Sequence, residues 1–145
     1  MRIERSVYRE LYKTLTVLPP ERGGILGMKD DVICIYYLDD GPAPTDRYAY
    51  VPDVSKLNTV LFQWQQQGIQ FAGMFHSHPN PQTWLSIADR EYIQKIMQAM
   101  PSSISRLYFP LIVPNVGMVG YRSEKTSGEI VLEDIIQVND CAESF

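Results

Sequence analysis

The sequence predicts an α/β domain, in which a mixed β-sheet is flanked by packed helices, and assigns residues 1–145 to that single domain. Three observations lead there. Segments with helical apolar spacing are interleaved with short β-branched and aromatic runs. Some of those runs are joined by tight polar turns, as hairpins are. A chain of 145 residues, 45% hydrophobic and 21% charged, can bury one core of ordinary size and leaves little room for a second.

The elements follow in order. Ile3, Val7, Tyr8, Leu11, Tyr12 and Leu15 recur at helical spacing, and Pro19-Pro20 stops that helix. Gly23-Gly24-Ile25-Leu26-Gly27-Met28, the turn Lys29-Asp30-Asp31 and Val32-Ile33-Cys34-Ile35-Tyr36-Tyr37-Leu38 read as a hairpin. Residues 39–53, rich in Pro, Asp and Tyr, read as a surface loop with a short strand at 48–50. A second helix fits 55–67, with Leu57, Val60, Leu61 and Trp64 on one stripe and Gly68 at its end. Residues 69–75 form a buried strand. A third helix fits 86–100, bounded by Pro101, and strands follow at 106–113, 116–122 and 129–138.

Composition narrows the functional classes. Thirteen basic against 17 acidic residues leave a net charge of −4, which gives no basic footprint for nucleic acid. No run approaches the roughly 18 apolar residues of a membrane span, and Pro110 breaks the most apolar stretch. The first residues lack the apolar core of a secretion signal. Cys34 and Cys141 stand far apart with no CxxC spacing, so a reduced, cytoplasmic chain that binds neither membrane nor nucleic acid is the expectation.

Chemistry concentrates around the two histidines, His76 and His78. If the strand continues through them, both side chains leave one face, with Cα atoms about 6.5 Å apart from two rises of roughly 3.3 Å. Two imidazoles at that spacing can reach one ion through Zn–N bonds of about 2.0–2.1 Å. An isolated His-x-His is more often a pair of half-exposed strand residues. This one is followed by Ser86 and Asp89, which also have an ordinary explanation as a helix N-cap and an acid in the first turn. Asp89 lies a short loop beyond the histidines and can supply a third, anionic ligand. Two His and one carboxylate leave a fourth position open, the arrangement of a catalytic zinc site rather than a closed structural one.

The full pattern His-x-His-x7-Ser-x2-Asp, with flanks Phe75-His76-Ser77-His78-Pro79 and Trp84-Leu85-Ser86, resembles the signature of the JAMM (JAB/MPN+) metalloproteases, and a stand-alone chain of this size looks like the prokaryotic JAB-type members. The segment Glu21-Arg22-Gly23-Gly24-Ile25-Leu26-Gly27 looks like the one in which that family carries its general base. The resemblance implies a cytidine-deaminase-like JAB/MPN fold and a zinc-dependent peptidase or isopeptidase. In it His76, His78 and Asp89 would hold Zn²⁺, Glu21 would be the general base and Ser86 would stabilise the oxyanion. Deaminase chemistry itself does not fit, since it needs a PCxxC pair that this chain lacks. The implied substrate is a protein or peptide, with the C-terminal tail of a ubiquitin-like or sulfur-carrier protein in first place. A non-catalytic MPN-type interaction scaffold and a zinc hydrolase of a small-molecule amide stay open as alternatives, as do the oligomeric state and the role of Trp84 as groove wall or packed side chain.

Overall fold

The computed structural model describes residues 1–16, 21–39 and 52–140. They fold as β1 (Arg2–Glu4), α1 (Arg5–Leu15), β2 (Gly23–Lys29), β3 (Val32–Asp39), α2 (Val54–Gln66), β4 (Gln70–Ser77), α3 (Ile87–Ala99), β5 (Arg106–Tyr108), β6 (Leu111–Val113), β7 (Gly117–Glu124), β8 (Ile130–Glu133) and β9 (Ile136–Val138). No helix among them is long and apolar enough to cross a membrane.

All nine strands belong to one mixed sheet. At its centre β2 runs antiparallel to both β3 and β4. Beyond β4 come β5 and β6, parallel to it, then β7 and β8, antiparallel. On the other side β1 lies between β3 and β9, parallel to both. Only residues 134 and 135 separate β8 at one edge from β9 at the other, so the sheet is rolled until its edges approach. The Met1 amino group closes that seam, donating to Glu133 Oε1 at 2.6 Å and to the Asp134 carbonyl at 2.8 Å.

Alternate side chains of each strand leave opposite faces, and this divides the core in two. Ile25, Met74 and Leu111 pack with Leu57 and Trp64 of α2 and Ile93 and Met97 of α3. Their neighbours Leu26, Phe75 and Ile112 pack with Val7, Leu11 and Leu15 of α1 on the other side. Gly24 shows how tightly the central strands fit. A Cβ there would stand 1.9 Å from the Tyr37 carbonyl oxygen and 2.8 Å from the Phe75 ring.

Several expectations need correction. Residues 3–15 are not one helix: Ile3 is fully buried in a strand between β3 and β9, and the helix starts at Arg5. Ile3 sits four residues before Val7, so periodicity alone absorbed it, whereas two flanking ladders decide its conformation. The predicted strand 106–113 is two strands, because Pro110 has no N–H for the ladder. The predicted strand 129–138 is also two, on opposite edges of the sheet. The hairpin at 23–38, helix α2 and helix α3 stand within two residues of expectation. The strand expected at 48–50, most of the loop 39–53 and Cys141 lie outside the described residues.

Candidate metal centre

Strand β4 continues through His76, which pairs with Gly23 of β2 and Leu111 of β6. His78 follows the strand's last residue and is tied to β6 by its backbone N–H, which donates to the Ile112 carbonyl at 3.0 Å. The pleat puts His76 on the face of Met74, towards α2 and α3. Pro79 then turns the chain away and returns it at Ser86, where α3 begins.

The start of α3 is a full capping box. Ser86 Oγ accepts the Asp89 N–H at 3.0 Å, and Asp89 Oδ2 accepts the Ser86 N–H at 2.9 Å. The same carboxylate faces both histidines. Asp89 Oδ1 lies 3.3 Å from His76 Nε2, and Oδ2 lies 3.2 Å from His78 Nε2. The two Nε2 atoms are 2.8 Å apart, with the rings nearly perpendicular at 72°. Cap and ligand readings of Asp89, opposed in the sequence, are therefore both met by one side chain.

These spacings are on the scale of a tetrahedral metal site. Bonds of about 2.0–2.1 Å put neighbouring ligand atoms of a tetrahedron roughly 3.4 Å apart; here the two Nε2 atoms are 2.8 Å apart, and the carboxylate turns Oδ1 to His76 at 3.3 Å and Oδ2 to His78 at 3.2 Å. His76, His78 and Asp89 thus form a group that could hold a metal ion, with His78 buried and the other two half-buried. Both histidines present Nε2, so each ring must carry its proton on Nδ1 when Nε2 gives its lone pair. The buried Nδ1 of His78 has no hydrogen-bond partner among the described residues.

Burial opposes the charge on Asp89. Hydrogen bonds with His76 and His78, the charge of His76 and the Ser86 N–H together outweigh burial and hold the carboxyl well below the ordinary carboxylate range. Asp89 is therefore anionic at neutral pH, as a metal ligand must be.

Glu21 precedes β2, two residues before the Gly23 that pairs with His76. Its Oε1 is 3.8 Å from His78 Nε2, close to the triangle and outside the group of three donors. Its position is set by a residue the sequence reading passed over. Ser77, buried between the two histidines, donates its N–H to the Arg22 carbonyl at 2.8 Å and accepts the Arg22 N–H on Oγ at 3.0 Å. The signal was available: in a strand, the residue between two same-face histidines must face the other way, where a small hydroxyl can bind backbone.

The loop between the histidines and α3 is pinned at both ends. Asn80 Nδ2 donates to the Pro114 carbonyl at 2.6 Å, and Tyr121 Oη donates to the Thr83 carbonyl at 2.8 Å. Trp84 is 57% exposed, so it is not a packed core residue.

No family model matches this sequence, and no curated protein matches it. Solved structures do match. A Desulfitobacterium hafniense protein determined in solution has a TM-score of 0.72 at 18% identity, covering 97% of this chain and 94% of that one. A Salinibacter ruber protein, also determined in solution, has a TM-score of 0.59 at 17% identity over 95% of this chain and 92% of that one. A JAB1/MPN domain protein from Archaeoglobus fulgidus has a TM-score of 0.53 at 17% identity, with 94% of this chain and all of that chain covered. Fold and site together define a JAB/MPN-like α+β domain carrying a candidate His-His-Asp metal group.

Proposed function

We propose that this chain is a zinc-dependent hydrolase of the JAMM type, which cleaves an amide bond at the C-terminal tail of a ubiquitin-like or sulfur-carrier protein in the cytoplasm. The observation that carries the reading is the convergence of His76 Nε2, His78 Nε2 and the Asp89 carboxylate, with separations of 2.8 to 3.3 Å, beside a second carboxylate, that of Glu21, 3.8 Å from His78 Nε2. Two imidazoles and one carboxylate suit zinc better than calcium or magnesium, which favour oxygen-only shells. The likeness to a JAB1/MPN domain protein supports the same fold-level reading.

His76, His78 and Asp89 would hold the ion. Zinc bound there supplies Lewis acidity, polarising a carbonyl and making water acidic enough to lose a proton near neutral pH. Glu21 takes that proton and returns it to the departing amine, a role that needs a carboxylate near the group but not part of it. The Ser77–Arg22 backbone clamp holds Glu21 on station. Ser86 Oγ uses a lone pair to accept the Asp89 N–H, which leaves its own proton to donate to the developing oxyanion. The extended tail of a carrier protein suits such a site, because an unstructured terminus can reach a scissile bond beside a sheet without unfolding the carrier.

The test is zinc-reconstituted protein assayed against a panel of C-terminally extended ubiquitin-like and sulfur-carrier proteins, with Glu21→Ala alongside. The expected result is about one zinc per chain, cleavage at the carrier terminus, and loss of about 10²–10⁴ in rate for Glu21→Ala with zinc retained. No zinc after reconstitution overturns the reading. Zinc without cleavage of any amide substrate identifies a metal-loaded interaction module instead.

A further inference from the structure

Trp84 is held at the surface rather than left there. Tryptophan is a residue that folded chains usually cover, and the other one here, Trp64 of α2, is only 5% exposed in the core. Trp84 is 57% exposed. The residue before it is fixed by the Tyr121 hydroxyl on the Thr83 carbonyl. The residue after it, Leu85, is buried in the core with Ile93, Phe109 and Tyr121. Both anchors fix the chain on either side of the indole. Two positions on is Ser86, and beyond it Ile87, the first residue of α3, is 79% exposed. Two large apolar side chains therefore flank Ser86, within one helical turn of Asp89.

The charge pattern says what they would accept. From residue 57 to residue 88 there is no Asp, Glu, Lys or Arg at all. The two large exposed side chains around Ser86 are apolar, and the charges begin only at Asp89, Arg90 and Glu91 on α3. An apolar side chain laid against Trp84 and Ile87 would remove apolar surface of both partners from water, and an indole offers large contact area with few rotatable bonds.

We propose that Trp84, supported by Ile87, is a specificity-determining seat for a large apolar side chain of the substrate next to the scissile amide. The inference deepens the hydrolase reading and rests on it. It narrows the substrate class to extended chains with a Leu-like residue flanking the cleaved bond. Trp84 acts by binding that side chain; proton transfer stays with Glu21.

The chain has its own reporter, because iodide quenches an exposed indole and not a buried one. The probes are end-blocked octapeptides of Gly and Ser, with Leu placed at one position at a time. Binding is followed in zinc-loaded Glu21→Ala by protection of Trp84 from iodide, and cleavage is followed in the parent protein. Leu at one position flanking the cleaved bond should tighten binding about tenfold over the all-Gly/Ser peptide. The same Leu preference, read by cleavage in the two Trp84 variants because they lack the reporter, should vanish in Trp84→Ala, persist in Trp84→Phe and weaken in Ile87→Ser, with melting temperature and zinc content unchanged in all three. Cleavage whose Leu preference survives Trp84→Ala overturns the seat and leaves the hydrolase standing. Protection by Leu peptides with no cleavage of peptide or carrier protein removes the hydrolase and overturns the seat as a specificity determinant, leaving only an apolar contact. No protection by any peptide at millimolar concentration overturns the seat outright.

Discussion

Helices α2 and α3 are both 13 residues long, pack on the same face of the sheet and begin with the same chemistry. At α2 the Asp53 side chain accepts the Lys56 N–H at 3.2 Å, while the Asp53 N–H donates to Oδ2 of the buried Asp39. At α3 Ser86 caps Asp89 and Asp89 caps Ser86. In each case an acid satisfies backbone N–H groups that a helix start leaves over. What separates them is the neighbour across the gap. Asp53 caps a helix; Asp89 caps a helix and meets two imidazoles delivered by β4. Local capping chemistry is thus common to both, and the tertiary partner turns one of the two caps into a candidate metal ligand.

The helix ends differ as well. α2 stops at Gly68, whose φ of 74° lies in the left-handed region. α3 has no such glycine: Met100 is already extended before Pro101, and the Lys125 ammonium, from beyond β7, donates to the carbonyls of Met97 at 2.6 Å and Met100 at 2.7 Å. One helix ends on a glycine next in the chain; the other stops before Pro101 and has its last carbonyls held by Lys125, 25 positions from Met100.

The comparison can be broken most forcefully at the two acids. Asp89→Ala should lose metal affinity by at least the 10–100-fold typical of even indirect partners, together with about 1 kcal/mol of capping stability. Asp53→Ala should lose only the latter. Metal titration and chemical denaturation of both variants decide it, and equal metal binding by the two would reduce Asp89 to a cap. Ser86→Ala should keep zinc and lower kcat by about 10²–10³, again with about 1 kcal/mol of lost capping. Restored kcat in Ser86→Thr would show that the hydroxyl rather than the residue's size is at work.

The helix ends give a smaller contrast. Lys125→Met should destabilise by about 1–2 kcal/mol, since it removes charge-assisted bonds to helix carbonyls. Gly68→Ala should cost about 1 kcal/mol by backbone strain, and neither should alter metal content. Smallest is an alkaline effect on the opposite face, at α1. Burial and the hydrogen bond to Glu10 push the Tyr36 hydroxyl up to about 12. Its folded value lies above the unfolded one, so the stabilisation it brings is complete below about pH 10 and fades as pH rises through about 12. Tyrosinate absorbance should show Tyr36 among the late-titrating tyrosines, and Glu10→Gln should bring it part of the way down, burial being the larger cause, while leaving both α2 and α3 untouched.

Those contrasts also mark where the sequence was legible. Spacing that repeats within one element was readable: the α2 stripe, the hairpin turn at 29–31, and the Ser86–Asp89 box. The histidine pair was readable too, because a strand's two-residue repeat sends His76 and His78 to one side. Ile3 was misread because its partners, Ile33 and Gln137, lie on strands 30 and 134 residues away. Ser77 was passed over because its partner, Arg22, is 55 residues distant, although its place on the strand face opposite the histidines could have flagged it.

By itself, then, the sequence determined which residues can form helices and hairpins, and which side chains have the donor atoms for a metal. Those properties depend on neighbours within a few residues, where chain geometry leaves little choice. Only the tertiary structure decided that Asp89 meets both imidazoles within 3.3 Å, that Glu21 stands beside them, and that Trp84 stays in solvent. These outcomes require segments far apart in the chain to be brought together at sub-ångström tolerance, and what fixes them is the packing of a rolled sheet between two cores.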